Sequence, residues 1–143
     1  GGADNGVRLA SLRKLATDLG VSERVYFLES IPQRQVASLM RQAICLAHSS
    51  LQESFGLVVI EAGACGLPVV ASRVGGIPEI ITSSDFGLLV SAGDSAEMAS
   101  ALGAVLQEPQ EALHRAQKLQ KRVAEVFSVR TMARGYLDAC VEN

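Results

Sequence analysis

Residues 51 to 72 read LQESFGLVVIEAGACGLPVVAS, and the fold turns on how this stretch is parsed. Leu57 to Cys65 is an apolar run of helical length, Gly66 and Pro68 end it, and Val69 to Ser72 is a short β-branched segment. A polar loop, a helix, a Gly/Pro turn and an apolar strand in that order make the second half of a βαβ unit. Two carboxylates punctuate the stretch, Glu53 and Glu61, eight positions apart. Glu61 falls inside the apolar run, where an ionised group is costly unless a partner is present.

Outward from this core the same alternation continues. Ile44-Cys45-Leu46-Ala47 precedes the loop and has no polar alternation, which predicts a strand buried on both sides. Val25-Tyr26-Phe27-Leu28 predicts another strand, and Gly87-Leu88-Leu89-Val90 a fourth. Between them, helical spacing joins Val7, Leu9, Leu12, Leu15, Ala16 and Leu19, with Gly20 as the stop. Val36, Leu39 and Met40 line a second helix with Pro32 at its first position. Asp94-Ser95-Ala96-Glu97 is a capping box ahead of Met98, Ala101, Leu102, Val105 and Leu106. Pro109 separates this helix from a charged one at about 110 to 127, and Ser128 caps a last helix carrying Val129, Met132, Tyr136 and Leu137. Strands alternating with helices predict a Rossmann-like, doubly wound parallel α/β sheet.

The 143 residues suit one domain; 48% are apolar, with no Trp and six Phe and Tyr together. A net charge of -2 without a basic run argues against a nucleic-acid partner. Cys45, Cys65 and Cys140 are odd in number and widely spaced, so they read as reduced core thiols of a cytoplasmic protein. The three Met residues read as core, and no cluster has metal-ligand spacing.

Sites in such sheets lie at the carboxyl ends of the strands. Two loops compete for that place, residues 48 to 56 and residues 73 to 79. Gly56 allows close approach to the main chain, and the amides of Gly56, Leu57 and Val58 form a positive helix end suited to a phosphate. Glu61 lies ~6 Å further along the axis at 1.5 Å per residue, about the step from a diphosphate to a ribose. Glu53, on the other side of the amides, can accept hydrogen bonds from a sugar. The alternative is that Glu61 pairs with an Arg of a neighbouring element. His48 and His114 read as a loop histidine and a solvated one, Glu79 as structural, and Lys118, Lys121 and Arg122 as a solvated helix face.

The stretch ESFGLVVIEAGACGLPVVAS, followed by VGGIPEII and GLLV, resembles the donor-binding half of retaining nucleotide-sugar glycosyltransferases of the two-Rossmann-domain type, family 4. The resemblance runs from the GGAD loop through RVYFLESIP to FSVRTMARGYL. It implies that Glu53 contacts donor-sugar hydroxyls and acts in catalysis. It also implies that the main chain at Ser54, Phe55 and Gly56 meets the sugar, that the amides of Leu57 and Val58 hold the diphosphate, and that Glu61 binds the ribose. The base would rest near Ile31. A nucleoside diphosphate sugar is then the substrate, with no cofactor or metal, and an acceptor hydroxyl of unspecified type receives the sugar with retention.

By the same resemblance, residues 1–143 are a partial C-terminal donor domain whose sheet is truncated at its N-terminus. Two strands, a diphosphate-binding Arg and Lys, and the acceptor domain with its His are absent, so the isolated chain is expected to be inactive. Peripheral membrane contact is left to the missing domain. A nucleotide-sugar epimerase and a non-catalytic nucleotide-sugar binding module are the alternative readings.

Overall fold

A computed structural model describes residues Gly2 to Val141 of the chain, in two compact units, residues 1–32 and 33–143. In the first unit, helix α1 (Gly2–Asp18) takes in the opening stretch that was expected to be a loop, and ends where Gly20 turns left-handed, with the amides of Gly20 and Val21 donating to the carbonyls of Thr17 and Ala16. Ala16 is buried, whereas Leu12, Leu15 and Leu19 are exposed. A single turn of 3-10 helix (Ser22–Arg24) follows. The strand expected at Val25 to Leu28 does not form, and those residues are irregular. A strand exists only through a neighbour that takes its N–H and C=O groups, and the sheet of the described residues lies wholly in the second unit.

That unit begins with α2 (Gln33–Gln42), directly after Pro32, burying Met40 and leaving Leu39 exposed. Three strands follow, β1 (Leu46–His48), β2 (Val69–Ser72) and β3 (Leu88–Val90), in the order β1-β2-β3 with both pairings parallel. The register sets His48 opposite Ala71 and Ala71 opposite Leu89. Helix α3 (Leu57–Ala64) joins the first two strands, and the short α4 (Ile77–Ile80) lies between the second and third.

The central strand shows why the sheet is covered twice. Val69 and Ala71 point into a core with Val59, Ala62, Ile77, Ile80 and Leu119, while Val70 points into another with Val90, Val105 and Ala112. All four residues of β2 are buried. β1 was expected to be buried on both sides and to begin at Ile44. It starts at Leu46 instead, Ile44 and Ala47 are exposed, and Leu46 and His48 are half-buried, because β1 is an edge of this sheet.

Helices α5 (Ser95–Gln107), α6 (Pro109–Val126) and α7 (Val129–Val141) complete the unit. Asp94 caps α5 by accepting from the amides of Ala96 and Glu97. The reciprocal half of the expected box is redirected, since the Glu97 carboxylate accepts from the Ser91 amide at 2.7 Å. Gly63 brings α6 against α3: a Cβ there would stand 2.9 Å from Val123 Cγ2 and 3.0 Å from Leu119 Cγ. Pro109 is the first residue of α6 instead of a spacer, and the Thr131 amide donates to Ser128 Oγ at the start of α7.

Leu106, Val129, Met132, Tyr136 and Leu137 are exposed, so Met132 is not core. Cys45 and Cys65 are half-buried and Cys140 exposed, all three as free thiols, which removes Cys140 from the core as well. Burial pushes the Cys45 thiol above its ordinary value, against a hydrogen bond with the Val70 backbone.

Candidate functional site

The two loops that competed in the sequence form one wall. A Cβ on Gly75 would overlap the Glu53 carbonyl oxygen and lie 2.7 Å from its carbon, and one on Gly76 would lie 2.9 Å from the Phe55 carbonyl oxygen. The Gly76 amide donates to the Ser54 carbonyl at 3.2 Å. The Gly75-Gly76 pair is there for this approach, with Gly75 at φ +51°. The bare pair between a strand and a Pro-containing turn was the available sign of it.

Helix α3 starts against the same wall. Gly56 is buried at φ +93°, where a Cβ would meet Ile77 Cγ1 at 2.9 Å. Its carbonyl accepts from the amides of Val59 and Ile60. The amides of Leu57 and Val58 have no acceptor among the described residues, and Leu57 is exposed. The Gly56 amide was expected to be free too, but it faces the Glu53 carboxylate together with those of Ser54 and Phe55. Phe55 stacks edge-on against Phe127, with ring centroids 6.0 Å apart.

Glu53 is three-quarters buried as a side chain, at 26% exposure, and its Oε1 accepts from the Ser54 amide at 3.0 Å. Desolvation pulls this carboxyl upward, and the three loop amides with the charge of His48 outweigh it, holding Glu53 below the ordinary carboxylate range. His48 Nε2 lies 3.3 Å from Glu53 Oε2. That nitrogen is sealed from solvent and makes no aligned hydrogen bond, so the contact is one of proximity and not of bond geometry. His48 is the last residue of β1, not a free loop residue.

Glu61, one turn into α3, is half-buried, and the partner in this structure is Gln33 of α2, whose Nε2 donates to Glu61 Oε1 at 2.9 Å. Among the described residues no cation lies within ion-pair distance of it, and the neutral amide fills one of its oxygens. A cavity lies beside this pair, with Gln33, Arg34, Val36, Met40, Glu61 and Cys65 in its lining. Gln33 was not legible as a site residue, since a polar residue at the start of an amphipathic helix is ordinary. Ile31 belongs to the first unit and is half-buried there.

Arg122 departs from the expected solvated face. Its Nε donates to the Ile80 carbonyl at 3.0 Å and its Nη2 to the Glu79 carbonyl at 2.9 Å, with the guanidinium over the Phe86 ring. It thereby closes the end of α4 behind the wall. Lys118 pairs with Asp85 at 2.8 Å, and this bond holds Asp85 below its ordinary value. Glu79 contributes its carbonyl to this structural contact, and its side chain and His114 are exposed. No helix among the described residues is long and apolar enough to cross a membrane.

A D-inositol 3-phosphate glycosyltransferase of Frankia alni is 44% identical over 99 residues, covering 69% of this chain and 24% of that protein. One from Mycolicibacterium paratuberculosis is 42% identical over 111 residues, covering 76% of this chain and 25% of that protein. The chain therefore spans about a quarter of the curated relatives it matches. Among solved structures, Anabaena Alr3699/HepE in complex with UDP superposes with a TM-score of 0.92 at 28% identity, covering 99% of this chain and 38% of that one. The same protein in complex with UDP-glucose superposes at 0.89 and 29% identity. The family model for glycosyl transferases group 1 matches residues 1–123, and the chain belongs to that family.

Proposed function

We propose that this chain is the C-terminal donor-binding part of a longer glycosyltransferase, which moves a sugar from a nucleoside diphosphate sugar to an acceptor hydroxyl with retention at the anomeric carbon. The observation that carries the reading is the start of α3, where the amides of Leu57 and Val58 are left open between Glu53 and Glu61. Oriented amides at a helix N-terminus favour the diphosphate, and favour it more as charge develops on the leaving group. Glu53, kept ionised by the loop amides, is an acceptor for sugar hydroxyls, beside the main chain of Ser54, Phe55 and Gly56. Glu61 brings a carboxylate with one oxygen left open by Gln33 to the ribose diol. The likeness to a protein solved with UDP and with UDP-glucose supports a donor of that class. The acceptor would be held by the part of the protein outside this chain, and retention rests on the likeness to the family.

The test uses the full-length protein with UDP and UDP-glucose as probes. A hydrogen bond to a charged group contributes about 1.5–3 kcal/mol. Glu61→Gln converts one acceptor oxygen into a donor, so UDP affinity should fall about tenfold or more at 1.4 kcal/mol per decade. Glu53→Gln should leave UDP affinity within about twofold, on the same scale, and lower donor turnover. Transfer or hydrolysis of the donor supports the proposal. Formation of an epimer, or binding without turnover, would replace it with an isomerase or a binding module. A lower melting temperature with unchanged UDP affinity for Glu61→Gln would make the Gln33 contact purely structural.

A further inference from the structure

We propose that His48 is a positioning residue for Glu53, holding the second carboxylate oxygen so that Glu53 is presented to the donor sugar in one orientation. The inference rests on the donor-site reading above and adds a residue to it.

The two oxygens of Glu53 have different partners. Oε1 is committed to the Ser54 amide at 3.0 Å, which ties the carboxylate to the loop entering α3. Oε2 faces His48 Nε2 at 3.3 Å. His48 ends β1 in register with Ala71 of the buried β2, so its backbone is held by the sheet and not by the loop. Its side chain is 18% exposed and its Nε2 is closed to solvent. A closed-off imidazole nitrogen without an aligned partner is uncommon, and the Glu53 carboxylate is the polar group standing against it.

Loop amides alone would hold Glu53 wherever the loop goes. The imidazole instead ties it to the sheet, and a carboxylate fixed at both oxygens offers its remaining lone pairs in set directions. The electrostatic pull of His48 on Glu53 has the same source. Residues that orient an acceptor affect the group it binds and not the remainder of the ligand, here the sugar and not the nucleoside diphosphate.

Two variants of the full-length protein separate this from a packing role. His48→Leu removes both ring nitrogens, and His48→Gln restores an N–H donor at a similar reach. UDP affinity, UDP-glucose affinity and donor turnover are measured for each, together with NMR titration of the Glu53 carboxyl. We expect His48→Leu to keep UDP affinity within about twofold while UDP-glucose affinity or turnover falls about tenfold, with His48→Gln recovering most of the loss. The Glu53 carboxyl should titrate higher in His48→Leu than in the parent.

Equal losses for UDP and UDP-glucose, no loss at all in folded His48→Leu, or no recovery in His48→Gln would each overturn the proposal while the donor site stands. A parent protein that binds neither UDP nor UDP-glucose would overturn the donor site and this role together.

Discussion

Gly75→Ala tests whether the wall beneath the candidate site is built by main-chain contact. The added Cβ would overlap the Glu53 carbonyl oxygen and lie 2.7 Å from its carbon and 3.2 Å from the Ser54 carbonyl oxygen, all backbone atoms with no flexible tip to yield. Gly75 also sits at φ +51°, which costs an L-residue ~1–2 kcal/mol. Overpacking adds about 1–3 kcal/mol. Together these give ~2–5 kcal/mol, and with a sensitivity of about 3–4 °C per kcal/mol for a domain of this size the melting temperature should fall ~6–20 °C. Gly93→Ala is the control, because Gly93 has φ +79° but its Cβ would make only a 3.5 Å contact with Leu51 Cδ2. It should show the conformational cost alone, ~1–2 kcal/mol. Thermal denaturation by circular dichroism measures both, with UDP-glucose affinity as a second reading, since relief of the overlap must displace residues 53 to 54. Equal melting temperatures for Gly75→Ala and Gly93→Ala, with donor affinity intact, would refute the close approach.

Other outcomes follow from single contacts. Arg122→Ala strands the carbonyls of Ile80 and Glu79 and should cost about 2–4 kcal/mol by denaturant unfolding, with Arg122→Lys recovering only part because it lacks the two-pronged geometry. Asp94→Ala uncaps α5 and should cost ~1 kcal/mol by denaturant unfolding. Because Glu53 is depressed in the folded chain, its contribution to stability is complete above its unfolded value of about 4.3 and is lost as pH falls through the folded one. The melting-temperature gap between the parent and Glu53→Gln should therefore close as pH falls below about 4.3; a gap that widens there contradicts the loop-amide contacts. In a pulse of iodoacetamide, exposed Cys140 should be modified first and Cys45 last, as read by peptide mass; early loss of Cys45 would contradict its burial.

The local chemistry of this protein is written in its sequence. Glycines at 56 and 66 bracketing an apolar run, a β-branched segment after Pro68 and a capping Asp94 each act through neighbours a few residues away, and each forms as read. So do the alternation of strand and helix and the placement of Glu53 and Glu61 around one helix start. What the tertiary structure decided is every property that needs a distant partner. Val25 to Leu28 has strand composition and no strand, because β-structure is a property of pairs. β1 reads as doubly buried and lies at an edge, since burial depends on what stands beside it. Val129, Met132, Tyr136 and Leu137 of α7 carry helical periodicity yet remain exposed, as periodicity names a face and not what covers it. Glu61 meets Gln33 across 28 positions, Glu53 meets His48 through the turn of a strand into a loop, and Gly75 meets Glu53 across one helix and one strand. A sequence states which groups can accept or donate, whereas only the packed chain sets which of them stand within 3 Å of each other.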